Sequence, residues 1–178
     1  EFTIDRYNHR FGKAALEDYA LFYNMGYDLE NGFNVYSFGS YSEREGNSGG
    51  FYRRAKDSRN VLELYPNGFL PQIATDVKDY SLALGLQGDS GDWTWDVSTN
   101  YGRNDFGLGV VNSLNTSLGT NSQTEFDNGA MVYDQFLVNF DANTSVDFGL
   151  PDDVFFTIGA EYRRESYKIE QGEEASYI

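Results

Sequence analysis

The sequence predicts an all-β chain, an antiparallel meander of about six strands. Three observations carry this reading. Apolar and aromatic residues alternate with small polar ones at a period of two along several stretches. The chain holds 14 Tyr, 14 Phe and 2 Trp against 3 Pro, with 19 Gly and many Asn, Asp, Ser and Thr, as aromatic-faced strands joined by turns require. The alternating stretches also come in pairs around short turns rich in Gly, Asn and Asp.

Residues 1–18 are weakly patterned, with Lys13 to Glu17 the only short helix-like run, and no element is assigned there. The first hairpin spans about 19–45. Leu21, Tyr23, Met25, Tyr27 and Leu29 share one face against Ala20, Phe22, Asn24, Gly26 and Asp28, and Glu30-Asn31-Gly32 supplies a tight turn. Its return strand, FNVYSFGSYSERE, is rich in aromatic and small residues. A long loop is expected over about 46–79, because Pro66, Asn67, Gly68 and Pro71 would interrupt any ladder they entered.

The second hairpin, about 80–102, is the clearest. Tyr80, Leu82, Leu84 and Leu86 alternate with Ser81, Ala83, Gly85 and Gln87; after Gly88 to Asp92, the set Trp93, Trp95, Val97, Thr99 and Tyr101 alternates with Thr94, Asp96, Ser98 and Asn100. A second polar loop follows over about 103–130. The third hairpin, about 131–165, places Val132, Phe136, Val138, Phe140 and Ala142 on one face, turns at 149–153, and returns through Val154, Phe156, Ile158, Ala160 and Tyr162.

Net charge is -15, from 28 acidic and 13 basic residues, which disfavours nucleic acid as a partner. Arg53, Arg54, Lys56 and Arg59 reverse that sign locally and suit an anionic ligand or a lipid sugar, a solvated loop being the plainer alternative. Without cysteine there is neither a disulfide framework nor thiol chemistry. No stretch of about 18 apolar residues suggests a membrane helix, and no signal peptide opens the chain, as expected of an internal piece of a longer precursor.

Short turns at one end of the meander and long loops at the other are the layout of an outer-membrane barrel, in which the apolar face meets lipid and the small polar face an enclosed interior. Trp93 and Trp95 would then join an aromatic girdle. The reading is that the meander forms part of a large transmembrane β-barrel. Six strands would not close it, so the remainder would lie outside this sequence.

On the turn and loop rhythm, the run Tyr65-Pro66-Asn67-Gly68-Phe69-Leu70-Pro71, and DYSLALGLQGDSGDWTWDVSTNYGRNDF followed by NSLNTSLG, the chain resembles a TonB-dependent receptor. The resemblance implies a barrel of about 22 strands with an N-terminal plug that is not present here. It also implies a place in the cell outer membrane, surrounded by lipid, and import of a scarce nutrient energised by the TonB complex acting through the plug.

No enzymatic chemistry is expected. His9 is the sole histidine, and adjacent carboxylates such as Asp152-Asp153 and Glu173-Glu174 point apart in turns or tails. No catalytic residue, metal site or cofactor is assigned; calcium on an Asp/Asn-rich loop near 125–128 matches no EF-hand spacing. A ligand, an unknown small nutrient, is expected on the long loops: Tyr65, Phe69 and Leu70 for stacking or apolar contact, Arg53, Arg54 and Arg59 for charge, and Asn104, Asn112 and Asn115 on the second loop. The plainer role for the aromatics is packing the loop down.

Two other functions fit the same residues. One is a soluble β-rich carbohydrate-binding or adhesion module, the other a passive porin-like barrel. The receptor places Leu82, Leu84, Trp93, Trp95, Phe136, Val138 and Phe140 against lipid, whereas the soluble module places them against a second packed sheet.

Overall fold

Long runs of period-two alternation fold into long strands. The computed structural model describes residues 8–10, 12–30 and 32–178, so Asn31 of the first turn lies outside the described residues. Strand β1 (Ala14–Asp28) is followed by β2 (Asn34–Gly49), by two short pieces, β3 (Arg53–Arg54) and β4 (Gly68–Phe69), and then by β5 (Gln72–Ser90), β6 (Trp93–Val111), β7 (Glu125–Val146) and β8 (Val154–Gln171). The six long strands form one antiparallel sheet in the order β1-β2-β5-β6-β7-β8, while β3 and β4 pair apart from it.

The meander is therefore present, but the barrel is not. Strands β1 and β8 are the two edges of an open sheet and have no pairing partner on their outer sides among the described residues. A barrel removes its edges by pairing the first strand with the last. The described residues give an open six-stranded sheet in place of the expected transmembrane barrel of about 22 strands. The receptor assignment, the outer-membrane location and TonB-driven import, read from the turn and loop rhythm and two sequence runs, presuppose that barrel and are corrected with it. The porin-like alternative needs the same wall. Among the described residues no helix is long and apolar enough to cross a membrane.

The strands are longer than the hairpins expected from the sequence. Strand β5 begins at Gln72 and β6 continues to Val111, 19 residues each. The register explains why their upper halves escaped. Opposed residues share a face, so Tyr80, Leu82, Leu84 and Leu86 lie with Arg103, Tyr101, Thr99 and Val97 on one side. Nearer the loops, Ile73 and Val77 pair with Val110 and Phe106 on the other side. The apolar surface thus crosses from one face at the turn end to the opposite face at the loop end, and the alternation changes parity where it crosses. On the first face the loop-end half is charged instead, and Lys78 bridges Glu43 at 3.4 Å and Asp76 at 3.0 Å.

No second layer covers the turn-end apolar face among the described residues, so the second packed sheet expected of a soluble module is not found there: Leu82 is 51% exposed, Leu84 50% and Phe140 41%. The largest buried apolar side chains lie instead at the loop end, where Phe69, Leu70 and Phe126 are buried. Between β6 and β7 the register slips, Gly107 facing Ala130 and Gly109 facing Asp127. This is a β-bulge with the extra residue on β7, where Gly129 takes a positive φ of 90°.

Candidate functional site

The segment 50–71 is an ordered cap rather than a slack connection. It leaves β2 through Gly50, whose amide donates to the Pro71 carbonyl at 2.8 Å. Further on, the Asn60 amide nitrogen donates to the carbonyls of Ala55 and Tyr65, both at 2.9 Å, cross-linking the cap internally. Pro66 then occupies the second position of a turn closed by the Gly68 amide on the Tyr65 carbonyl at 3.0 Å. Gly68 has a φ of 84°, and a Cβ there would lie 2.2 Å from the Arg53 carbonyl, so only glycine lets β4 approach β3. Pro71 stands just before β5, where its missing N–H costs the ladder nothing.

This turn delivers Tyr65 and Phe69 into a stacked pair, ring centroids 4.5 Å apart. The Tyr65 hydroxyl donates to the Ser113 carbonyl at 3.2 Å, tying the cap to the second loop. Burial, and then the Glu125 carboxylate, push the Tyr65 phenol above its ordinary pKa and keep it a donor. The second loop runs only from 112 to 124 and contains a 3-10 helix, Thr116–Asn121, capped by the Asn115 side chain, which accepts from the Ser117 amide at 2.9 Å.

Between the cap, the second loop and the C-terminal residues lies a cleft of about 600 Å³. Phe69, Ile73 and Phe126 form its apolar wall, Phe51 and Tyr177 stand at its rim 73% and 57% exposed, and Arg53, Arg59 and Asn128 add polar groups. No aspartate or glutamate lines it. Arg59 is forked onto Asp57, Nε to Oδ1 and Nη2 to Oδ2 both at 2.9 Å, and this pairing, together with the Arg59 backbone amide donating to Oδ1 at 3.0 Å, holds the Asp57 carboxyl well below the usual carboxylate range. Arg53 is held in place by β3 pairing and has no carboxylate within 4.0 Å among the described residues.

The residues singled out in the sequence divide accordingly. Arg53, Arg59 and Phe69 meet at the cleft. Arg54 is exposed and outside its lining, Tyr65 packs behind Phe69, and Leu70, 2% exposed, is a core residue. Asn112 takes a positive φ of 52° and donates to the Leu70 carbonyl at 2.8 Å, holding the cap down. Asn104 is in strand β6 rather than in a loop and donates to Asp79 at 2.7 Å. Asn115 lines the cleft, but its amide is spent on the 3-10 cap and on the carbonyls of Ala175 and Ile178. Phe51, Asn128 and Tyr177 were not singled out. Phe51 sits two residues before Arg53, an aromatic beside the basic run, and that adjacency was the available signal.

A larger hollow of about 900 Å³ lies across the upper parts of β1, β2, β5 and β6. Its charged lining is entirely acidic: Glu17, Glu45, Asp76, Glu125, Asp127 and Glu173. No group of three or more His, Cys, Asp or Glu among the described residues is arranged to hold a metal ion. His9 packs its ring on Tyr52 at 4.6 Å.

No family model, no curated protein and no solved structure matches this chain. The receptor resemblance thus has neither a closed barrel nor a related protein behind it.

Proposed function

We propose that this chain is a β-rich carbohydrate-binding or adhesion module that presents its ligand site at the loop end of an open sheet. One observation carries the reading: a cleft of about 600 Å³ with exposed aromatic rings at its rim, beside guanidinium and amide groups. Sugars offer apolar C–H faces to aromatic rings and hydroxyls to planar polar side chains, and a shallow, half-apolar cleft suits that mixture. The site stands on strands and on a hydrogen-bonded cap, so little ordering would be needed on binding.

Affinity electrophoresis through gels containing dissolved polysaccharides, mannan, xyloglucan and polygalacturonate among them, tests this. Retardation by at least one polysaccharide is expected, with loss of retardation in the double variant Phe51→Ala/Tyr177→Ala. Equal mobility of the folded protein with and without every polysaccharide defeats the reading.

A further inference from the structure

Acidic residues outnumber basic ones 28 to 13 in this chain, yet the lining of the cleft inverts that balance, with two arginines and no aspartate or glutamate. The neighbouring hollow has the opposite character, six carboxylates without a basic residue. The two arginines are not equivalent. Arg59 is neutralised by its fork onto Asp57, whereas Arg53 acts on Asp57 only through space, makes no salt bridge among the described residues, and stands beside the apolar wall of Phe69 and Ile73. A guanidinium presented next to apolar surface is less screened than one in open water, and its planar pair of N–H donors matches a carboxylate.

We propose, resting on the carbohydrate reading above, that the ligand is an acidic oligosaccharide and that a uronate carboxylate is received by Arg53. The sugar ring carrying it lies against Phe51, and Asn128 accepts or donates to its hydroxyls. Arg59 stays forked onto Asp57. A carboxylate placed in the acidic hollow would meet repulsion alone, so the charge pattern selects both the ligand and the cleft.

Isothermal titration of the whole chain with trigalacturonate, and with the same trisaccharide after reduction of its carboxyls to alcohols, tests the assignment. The acidic sugar is expected to bind about tenfold more tightly or better, since a charge-assisted pair is present in one and absent in the other. Arg53→Gln should abolish that preference and keep the affinity for the reduced sugar, while Arg54→Gln, outside the lining, should leave both affinities unchanged. Equal affinity of the native chain for the two sugars overturns the acidic assignment and leaves the carbohydrate reading standing. Preference retained in Arg53→Gln removes Arg53 from the role. Binding of neither sugar by the folded chain overturns this assignment, and the absence of binding to every polysaccharide above takes the carbohydrate reading with it.

Discussion

Leu70 and Leu84 show how little residue type says here about energetic weight. Both are leucines in or beside β5, but Leu70 is 2% exposed under the cap and Leu84 50% exposed on the uncovered face. Leu70→Ala should cost about 2–5 kcal/mol and Leu84→Ala less than about 1.5 kcal/mol, read as shifts in a urea unfolding midpoint. A second contrast concerns Asp57. Its folded pKa is depressed by Arg59, so its contribution to stability is present above the unfolded value of about 3.9 and is lost as pH falls through the folded value. In Arg59→Gln the Asp57 carboxyl carbon, followed by NMR, should titrate at higher pH than in the native chain, the residual depression coming from the backbone amide of residue 59, which still donates to Asp57. An unchanged titration would mean that the fork does not set the shift.

At the scale of the element, the cap depends on β3 and β4 lying close together. Gly68→Ala places a Cβ against the Arg53 carbonyl at a φ unfavourable to alanine, so the β3–β4 pair should separate. The expected loss is about 1–3 kcal/mol of stability. It should come with weaker ligand binding, because Arg53 and Phe69 are the paired residues beside that glycine. Calorimetry of the folded variant, with and without ligand, checks both. The elements also show what could be read in advance. The turn-end halves of β5 to β8 were legible because their apolar residues stay on one face. The loop-end halves of β5 and β6 were not: Ile73, Val77, Phe106, Leu108 and Val110 change parity relative to Leu82 and Trp95, which looks like the end of a strand. Strand β1 was read from Tyr19 although it begins at Ala14, because Glu17 interrupts its apolar side. Of the site, Arg53, Arg59 and Phe69 could be found from the basic run and the Pro-Asn-Gly turn. Tyr177, more than 100 residues away, reaches the cleft only through the sheet register.

Among the described residues the six long strands form one sheet in sequential order with two bare edges, β3 and β4 pairing apart from it. The two central long strands, β5 and β6, are paired on both sides, while β1 and β8 are paired on one. Amide hydrogen exchange should therefore be slowest in β5 and β6 and should quicken toward both edges. Uniform protection across β1 would show its outer edge covered in solution. Three of the sheet's five ladders, those of β1 with β2, β5 with β6 and β7 with β8, join strands across short turns, so their pairing can begin at the turn and zip outward. The slipped pairing beside Gly129 has a reach well beyond its own size. On the turn side of it the odd residues of β7, such as Met131, lie with Phe106; past it the even residue Phe126 lies with Val110. One supernumerary residue acts as a phase shifter, rotating the last stretch of the strand by half a period and aiming a phenylalanine into the cleft. Shortening β7 by that residue would point the ring out through the back of the sheet and leave the apolar wall of the cleft to Phe69 and Ile73.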